Sequence, residues 1–173
     1  MRIFSSVLAF VFGLAIAATA QAEGIETIGS YKAWTAYKFS DGGADVCYMA
    51  SQPTKSSGDY TKRGQVYWLV AHRRSLNKKD TGSFVPGYTL KADATITVEI
   101  GGRSWTMFSE DEINKHEVAW FRDADDTTVV NAQKAGISMI VKAVSARGTK
   151  TTDEFSLSGF TAAHKAISQA CGF

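Results

Sequence analysis

Short segments in which apolar and polar residues alternate recur along most of the chain. The clearest, residues 95–100, is followed by Gly101-Gly102 and then by a second segment at residues 103–108. Two alternating segments separated by Gly-Gly predict a β-hairpin. Since successive side chains of a strand point to opposite faces, this pattern is typical of strands that bury one face.

Six further segments have the alternation or the β-branched and aromatic content of strands. They are residues 31–39, 46–50, 65–72, 118–121, 137–145 and 151–157. Residues 23–30 are expected to be a loosely held lead-in, and residues 53–63 and 73–82 are expected to be polar loops. About eight or nine short strands with turn residues between them favour a mainly β fold, an antiparallel β-sandwich.

Two short helices interrupt the strand pattern in the last third of the chain. The first is expected to be capped by Asp125 or Asp126 and to end at Gly136, where a C-terminal cap belongs. The second is expected to begin near Ser158 or Gly159 and to continue almost to the last residue. The prediction is therefore a β-sandwich with two short helices, one of them C-terminal.

The last helix carries one of the two cysteines in the chain. On a helical wheel Phe160, Ala163, Ile167 and Cys171 fall on one apolar face. The other cysteine, Cys47, lies in an early strand. An even cysteine count in an exported protein predicts one disulfide, which here would attach the last helix to the sheet. Two free thiols or an intermolecular bridge are the alternatives.

The first residues have the features of a secretory signal peptide. A basic start at Arg2 precedes an apolar run at residues 3–18 and the small-x-small sequence Ala20-Gln21-Ala22. Cleavage is expected after Ala22. A membrane anchor is disfavoured, because the run is short for a span and no basic segment follows it. Residues 23–173 are then expected to form one mature domain in the periplasm, associated with the envelope or secreted further.

The charge of the chain is close to neutral. The formal net charge of +2 falls to +1 when Arg2 is removed, so the domain lacks the basic surface that nucleic acids require. One basic segment, formed by Arg73, Arg74, Lys78 and Lys79, is a candidate partner surface for phosphate-bearing groups such as lipid headgroups. The simpler interpretation of such a segment is a solvated loop.

No catalytic or metal-binding motif is apparent in the chain. His72, His116 and His164 do not have the spacing of metal ligands, and we expect each to be a hydrogen-bonded structural residue. No serine stands in a Gly-x-Ser-x-Gly motif, and paired cysteines supply no thiolate. Acidic residues cluster at 110–112 and at Asp123, Asp125 and Asp126, and the second cluster lacks calcium-loop spacing. We therefore predict no catalytic residue, no metal and no cofactor.

Ordered segments from Cys47 onward resemble the invasion-associated locus B family of secreted alphaproteobacterial proteins. They are Cys47-Tyr48, Ser51, Pro53, Tyr60-Thr61, Arg63-Gly64, His72-Arg73, Gly87-Tyr88, Ala119-Trp120, Arg122-Asp123, Lys142, Ser145-Ala146-Arg147-Gly148-Thr149, Thr151-Thr152-Asp153, Ser156-Leu157, Gly159-Phe160-Thr161-Ala162-Ala163 and Ala170-Cys171-Gly172. The resemblance covers nearly the whole mature chain. Some members have a cysteine shortly after the first tryptophan, but Trp34 is followed here by Thr35, Ala36 and Tyr37.

The resemblance implies an immunoglobulin-like β-sandwich in the periplasm or on the cell envelope. Some relatives are linked to host-cell entry, but the family provides no reaction, cofactor or catalytic residue to transfer. Two hypotheses follow. The first is a non-enzymatic envelope protein that binds a protein or an envelope component, of unknown oligomeric state. The second is a periplasmic small-ligand binder or enzyme with a pocket near His72 or His116.

Overall fold

A computed structural model describes residues 24–110 and 115–173 of the chain. The predicted signal peptide and part of the first acidic cluster lie outside these residues. The described part contains two antiparallel sheets. The first has the order β1-β2-β3-β5-β6-β9 and is formed by Glu26–Tyr31, Trp34–Asp41, Ala44–Ser51, Tyr67–Arg73, Lys78–Val85 and Ala119–Trp120.

The second sheet has five strands in the order β4-β11-β10-β7-β8. These strands are Lys55–Gly58, Lys150–Ser156, Ser138–Val144, Ile96–Ile100 and Arg103–Met107. The hairpin predicted around Gly101-Gly102 is confirmed, since β7 and β8 pair from Ile96↔Met107 to Ile100↔Arg103. Both glycines have positive φ, of 56° and 78°, as the favoured two-residue hairpin turn requires.

The two sheets pack face to face around an aromatic core. Trp68 and Phe84 of the first sheet contact Phe155 of the second, with ring centroids 6.2 and 6.4 Å apart. Trp34 Nε1 donates a hydrogen bond across the sandwich to the carbonyl of Ser156 at 3.0 Å. The predicted antiparallel β-sandwich is confirmed.

The C-terminal helix α2, Phe160–Ala170, buries the face that the wheel predicted. Phe160, Ala163 and Ile167 are fully buried, and Cys171 is 4% exposed. The predicted disulfide between Cys47 and Cys171 is present, with Cα atoms 5.9 Å apart. The bond therefore fixes the end of α2 to β3 in the middle of the first sheet.

α2 starts where it was predicted to start, directly after Gly159. Gly159 is the N-cap and has φ +92°, and a Cβ at this position would collide with the carbonyl of Tyr31. Trp34, just after the turn that follows β1, packs edge-on against Phe160, the first residue of α2, at 4.9 Å. Position 159 requires glycine, because its backbone approaches the backbone of Tyr31 too closely for a Cβ atom.

The other helix, α1 (Asp123–Ala135), begins earlier than predicted. Its N-cap is Arg122 and no side chain caps it, so the prediction of a cap at Asp125 or Asp126 is wrong. The carboxylate of Asp126 instead points inward and accepts a hydrogen bond from a backbone N–H of β6 at 3.1 Å. The predicted C-terminal cap at Gly136 is confirmed.

Two strands lie where a lead-in and a loop were predicted. β1 pairs with β2 over most of its length, so the prediction of a loosely held lead-in is wrong. β4 lies inside the predicted loop at residues 53–63 and pairs with β11. All four residues of β4 are exposed, so no apolar pattern identifies it in the sequence.

β6 lies in the segment predicted to be a basic loop, and this prediction is also wrong. Lys78 and Lys79 begin the strand, after a short 3-10 turn at residues 74–76. Asp80 and Gly82 occupy two of its three inward-facing positions, where hydrophobic residues would have indicated a strand. Asp80 is accommodated inside because its carboxylate pairs with His164 at 2.7 Å. None of the helices in the described part of the chain is long and apolar enough to cross a membrane.

Candidate functional site

A pocket of about 600 Å³ lies where β4, β6 and β10 end. Three segments form its walls: residues 59–64 after β4, residues 87–89 after β6, and the connection from β10 to β11 at residues 145–149, together with Thr151 of β11. Its size is in the range of small-ligand sites in proteins.

Arg63 holds these segments together. Its guanidinium donates two hydrogen bonds to the carboxylate of Asp153 on β11, at 2.8 and 2.7 Å, and its Nε donates to the carbonyl of Pro86 at 2.7 Å. The side chains of Arg63 and Asp153 are 5% and 0% exposed. Burial disfavours the charged form, but the hydrogen bonds and charge of Asp153 outweigh it and raise the pKa of Arg63. Arg63 is therefore a fixed cation whose charge is already compensated.

Two tyrosines flank Arg63 and line the pocket. The Cζ of Arg63 lies 5.4 Å from the ring centroid of Tyr60 and 4.9 Å from that of Tyr88, which is the geometry of cation–π contacts. The hydroxyl of Tyr88 is hydrogen-bonded to Oγ1 of Thr151. Burial raises the pKa of Tyr88, so its hydroxyl stays neutral. The aromatic wall is thus held in one arrangement before any ligand arrives.

Further hydrogen bonds fix the segments around this centre. Gly64 N–H donates to the carbonyl of Gly87 at 2.9 Å, and Thr149 N–H donates to Oγ of Ser145 at 3.1 Å. A Cβ on Gly87 would lie 2.5 Å from the carbonyl oxygen of Gly64, so this crossing also needs glycine. The pocket is therefore part of the rigid fold.

The pocket lining does not contain a catalytic pair. Ser145 is its one serine, no histidine or cysteine lines it, and Asp59 is its one carboxylate. Nucleophilic or acid–base catalysis requires a nucleophile and a base within hydrogen-bond reach of each other. The described lining therefore offers polar and aromatic side chains with which a ligand can form contacts.

A second polar cluster joins β5, β6 and α2 beside the disulfide. His164 Nε2 donates to Oδ1 of Asp80 at 2.7 Å, Asp80 N–H donates to Nδ1 of His72 at 3.0 Å, and Nε2 of His72 lies 3.0 Å from Oγ of Ser168. The first three residues are buried. Burial would raise the pKa of Asp80, but the hydrogen bond from His164 lowers it below its ordinary value.

The Ser168–His72 contact does not provide a nucleophile and its base. Because the backbone N–H of Asp80 can only donate, Nδ1 of His72 must accept, and the ring proton lies on Nε2. Nε2 therefore donates to Ser168 and cannot remove its proton, which is the reverse of a catalytic triad. Burial, together with the nearby His164, lowers the pKa of His72 to about 4.

The same cluster is the set of metal-type donors found in the described part of the chain. One donor atom each from His72, Asp80 and His164 lies within 4.8 Å of the others. A metal would have to displace the Asp80–His164 hydrogen bond and the N–H donated to His72. The donors are thus already satisfied by one another, and the cluster cross-links three elements.

The other histidine considered from the sequence, His116, is half-buried in a loop. Its Nδ1 lies 2.9 Å from Oγ of Ser109, and its carbonyl accepts a hydrogen bond from Leu90 N–H at 2.8 Å. Neither His72 nor His116 lines the pocket described above. All three histidines are hydrogen-bonded, as expected from the sequence.

The candidate basic surface is only partly free in the structure. Arg73 and Lys79 are exposed, and Lys78 is half-buried at the start of β6. Arg74 donates to the carbonyl of Gly172 at 2.8 Å and stacks on the ring of the last residue. The role of this basic surface in binding a partner stays a prediction.

Sequence reasoning missed the pocket residues as a site. Arg63 and Asp153 are 90 positions apart, and neither belongs to a motif that indicates catalysis or ligand binding. The available signal was the family resemblance. Tyr60-Thr61, Arg63-Gly64, Gly87-Tyr88 and the segment from Ser145 to Asp153 are separate in sequence, and the structure brings them together here.

Comparisons with known proteins agree with this fold. A family model described as invasion associated locus B (IalB) protein matches residues 34–168. Among solved structures, the chain is similar to the crystal structure of invasion associated protein B from Bartonella henselae. The TM-score is 0.57 and the sequence identity 16%, over 83% of this chain and 96% of that chain. No curated protein matches the chain.

Proposed function

Because the chain belongs to the invasion-associated locus B family, we propose that it is an exported, non-enzymatic protein of the cell envelope that binds a protein or envelope component. The disulfide supports export, since such bonds form and persist in oxidising compartments such as the periplasm. In this proposal residues 1–22 are removed on export and residues 23–173 act as one domain.

The observation that carries the binding role is the pocket around Arg63. Its central cation is already paired with Asp153, its tyrosines are held in place, and its lining lacks a nucleophile–base pair. A rigid, polar and aromatic concavity without catalytic groups is suited to recognition. The basic residues Arg73 and Lys79 form a second candidate contact surface on the same domain.

Affinity capture with surface variants tests the proposal. The mature protein, a pocket variant Lys62→Gln/Arg147→Gln and a basic-surface variant Arg73→Gln/Lys79→Gln are each incubated with envelope extract. We expect one component to be captured in a fixed ratio and to be lost in one of the two variants. The variants change exposed residues, so equal thermal unfolding of all three proteins shows that folding is unaffected.

Two results would contradict the proposal. The first is capture that neither variant reduces, because binding would then be unrelated to both surfaces. The second is turnover in a broad hydrolase screen that is abolished by His72→Gln and retained by the pocket variant. That outcome would favour the enzyme hypothesis, in which catalysis depends on the buried histidine.

A further inference from the structure

The rim of the pocket carries more positive than negative charge. Lys62 and Arg147 are exposed, and neither has a charged partner among the residues that the structure describes. Asp59 is the one carboxylate of the lining, and Arg63 is compensated by Asp153. Two cations against one anion leave a net charge of about +1 for a ligand to match.

Unused hydrogen-bonding groups accompany these charges. The hydroxyls of Thr61 and Thr89 are exposed and make no hydrogen bond within the described part of the chain. The half-buried rings of Tyr60 and Tyr88 supply apolar surface between them. The pocket therefore combines hydroxyl groups and a carboxylate with two aromatic rings. Such a lining favours a ligand that has many hydroxyl groups and an apolar ring face.

We propose that this pocket binds a small acidic saccharide, a unit of an envelope glycan that carries a carboxylate. The inference rests on the proposed function and names the class of its envelope component. Arg147 and Lys62 supply the positive charge that attracts the carboxylate, the sugar hydroxyls bond to Thr61, Thr89 and Asp59, and the ring packs against Tyr60 or Tyr88. The volume of about 600 Å³ is in the range of pockets that bind small ligands.

A simple anion is a poorer match to the same geometry. The guanidinium of Arg63, the buried cation, already donates two hydrogen bonds to Asp153. The other two cations, Lys62 and Arg147, are exposed side chains on separate segments. An inorganic anion would gain only solvent-screened contacts with them. The saccharide ring adds contacts with the pocket wall, which an inorganic anion lacks.

Titration of the mature protein with three probes tests the inference. The probes are digalacturonate, the neutral disaccharide lactose and inorganic phosphate, with binding followed by amide chemical shifts at fixed ionic strength. We expect digalacturonate to shift amides of residues 59–64, 87–89 and 145–149 and to bind at least about tenfold more tightly than either other probe. Shifts spread over the whole surface, or equal binding of phosphate, would overturn the inference.

Matched variants locate the interaction. Lys62→Gln/Arg147→Gln should weaken digalacturonate binding at least about tenfold. The control Arg103→Gln/Lys165→Gln removes two exposed cations outside the pocket and should leave binding unchanged. Equal weakening in both variants would show general charge attraction and refute the inference.

Failure of this inference can be separated from failure of the proposed function. If no amide responds to digalacturonate while Lys62→Gln/Arg147→Gln still abolishes capture from envelope extract, the ligand class is wrong and the binding role is supported. If both assays fail, the pocket does not bind an envelope component.

Discussion

A substitution in the buried ion pair between Arg63 and Asp153 tests whether this pair stabilises the pocket. Asp153→Asn preserves the shape of the side chain but leaves the guanidinium without its counter-charge. Asp153 is 0% exposed and Arg63 is 5% exposed, so water cannot replace the lost partner. Removing one member of a buried pair typically costs about 3–5 kcal/mol, and we expect a loss in this range.

An exposed ion pair in the same sheet offers a matched control. Lys142 and Glu99 are also 2.7 Å apart, but their side chains are 51% and 37% exposed. Glu99→Gln should therefore lower the free energy of unfolding by about 1 kcal/mol or less, because solvent screens the pair. The difference between the two losses measures the combined effect of burial and of the second hydrogen bond that Arg63 donates to Asp153.

Urea unfolding at pH 7, followed by tryptophan fluorescence, gives both free energies by linear extrapolation. A double variant, Arg63→Met/Asp153→Leu, removes both charges and should recover much of the loss caused by Asp153→Asn. If Asp153→Asn costs no more than Glu99→Gln, Arg63 is not held as a buried cation. The account of the pocket as a preformed site would then be wrong.

Three further predictions concern α2 and its surroundings. Cys171→Ser should lower the free energy of unfolding by about 2–5 kcal/mol, and hydrogen exchange should then be faster in α2 than in the sheets. The free energy of unfolding should decrease by up to about 3 kcal/mol as pH falls from about 6.5 to about 4. The reason is that folding holds the pKa of His72 at about 4, so the unfolded chain takes up its proton first. Gly159→Ala should cost about 2 kcal/mol or more in thermal unfolding, because the added Cβ collides with the β1 backbone.

Each of these predictions has a control. Cys47→Ser should match Cys171→Ser, since both remove the same bond. His72→Gln should flatten the pH dependence while His116→Gln preserves it, and an unchanged profile in His72→Gln would assign the dependence to another group. Gly148 has φ +88° with open space around it, so Gly148→Ala should cost less than the change at Gly159. Equal costs would mean that backbone conformation alone sets the penalty.

The fold could be predicted where the core imposes a pattern on the sequence. The alternating segment at residues 95–100 and the apolar face of α2 each bury hydrophobic side chains, and both predictions are confirmed. β6 was missed because two of its inward positions are Asp80 and Gly82, and the carboxylate of Asp80 finds its hydrogen-bond partner 84 positions away. β4 was missed because it has no buried side chain and is defined by backbone pairing alone.

The candidate site was less accessible to sequence reasoning than the fold. Its central pair, Arg63 and Asp153, depends on the register of β11 and on the path of the segment after β4, and neither is encoded locally. The basic segment at residues 73–79 is evident in the sequence because its four charges lie close together, yet Arg74 is hydrogen-bonded near the C-terminus. Consecutive charges are visible in a sequence, whereas charges that meet through folding are not.

The Cys47–Cys171 bond also determines whether the fragments of a cleaved chain separate. The two cysteines are 124 positions apart, so one cut anywhere between them leaves both fragments covalently joined. The fragments would separate by mass only after reduction, and the paired strands on either side of the cut would stay at high local concentration. A chain cut once between the two cysteines therefore stays a single covalent molecule, joined through β3 and the end of α2.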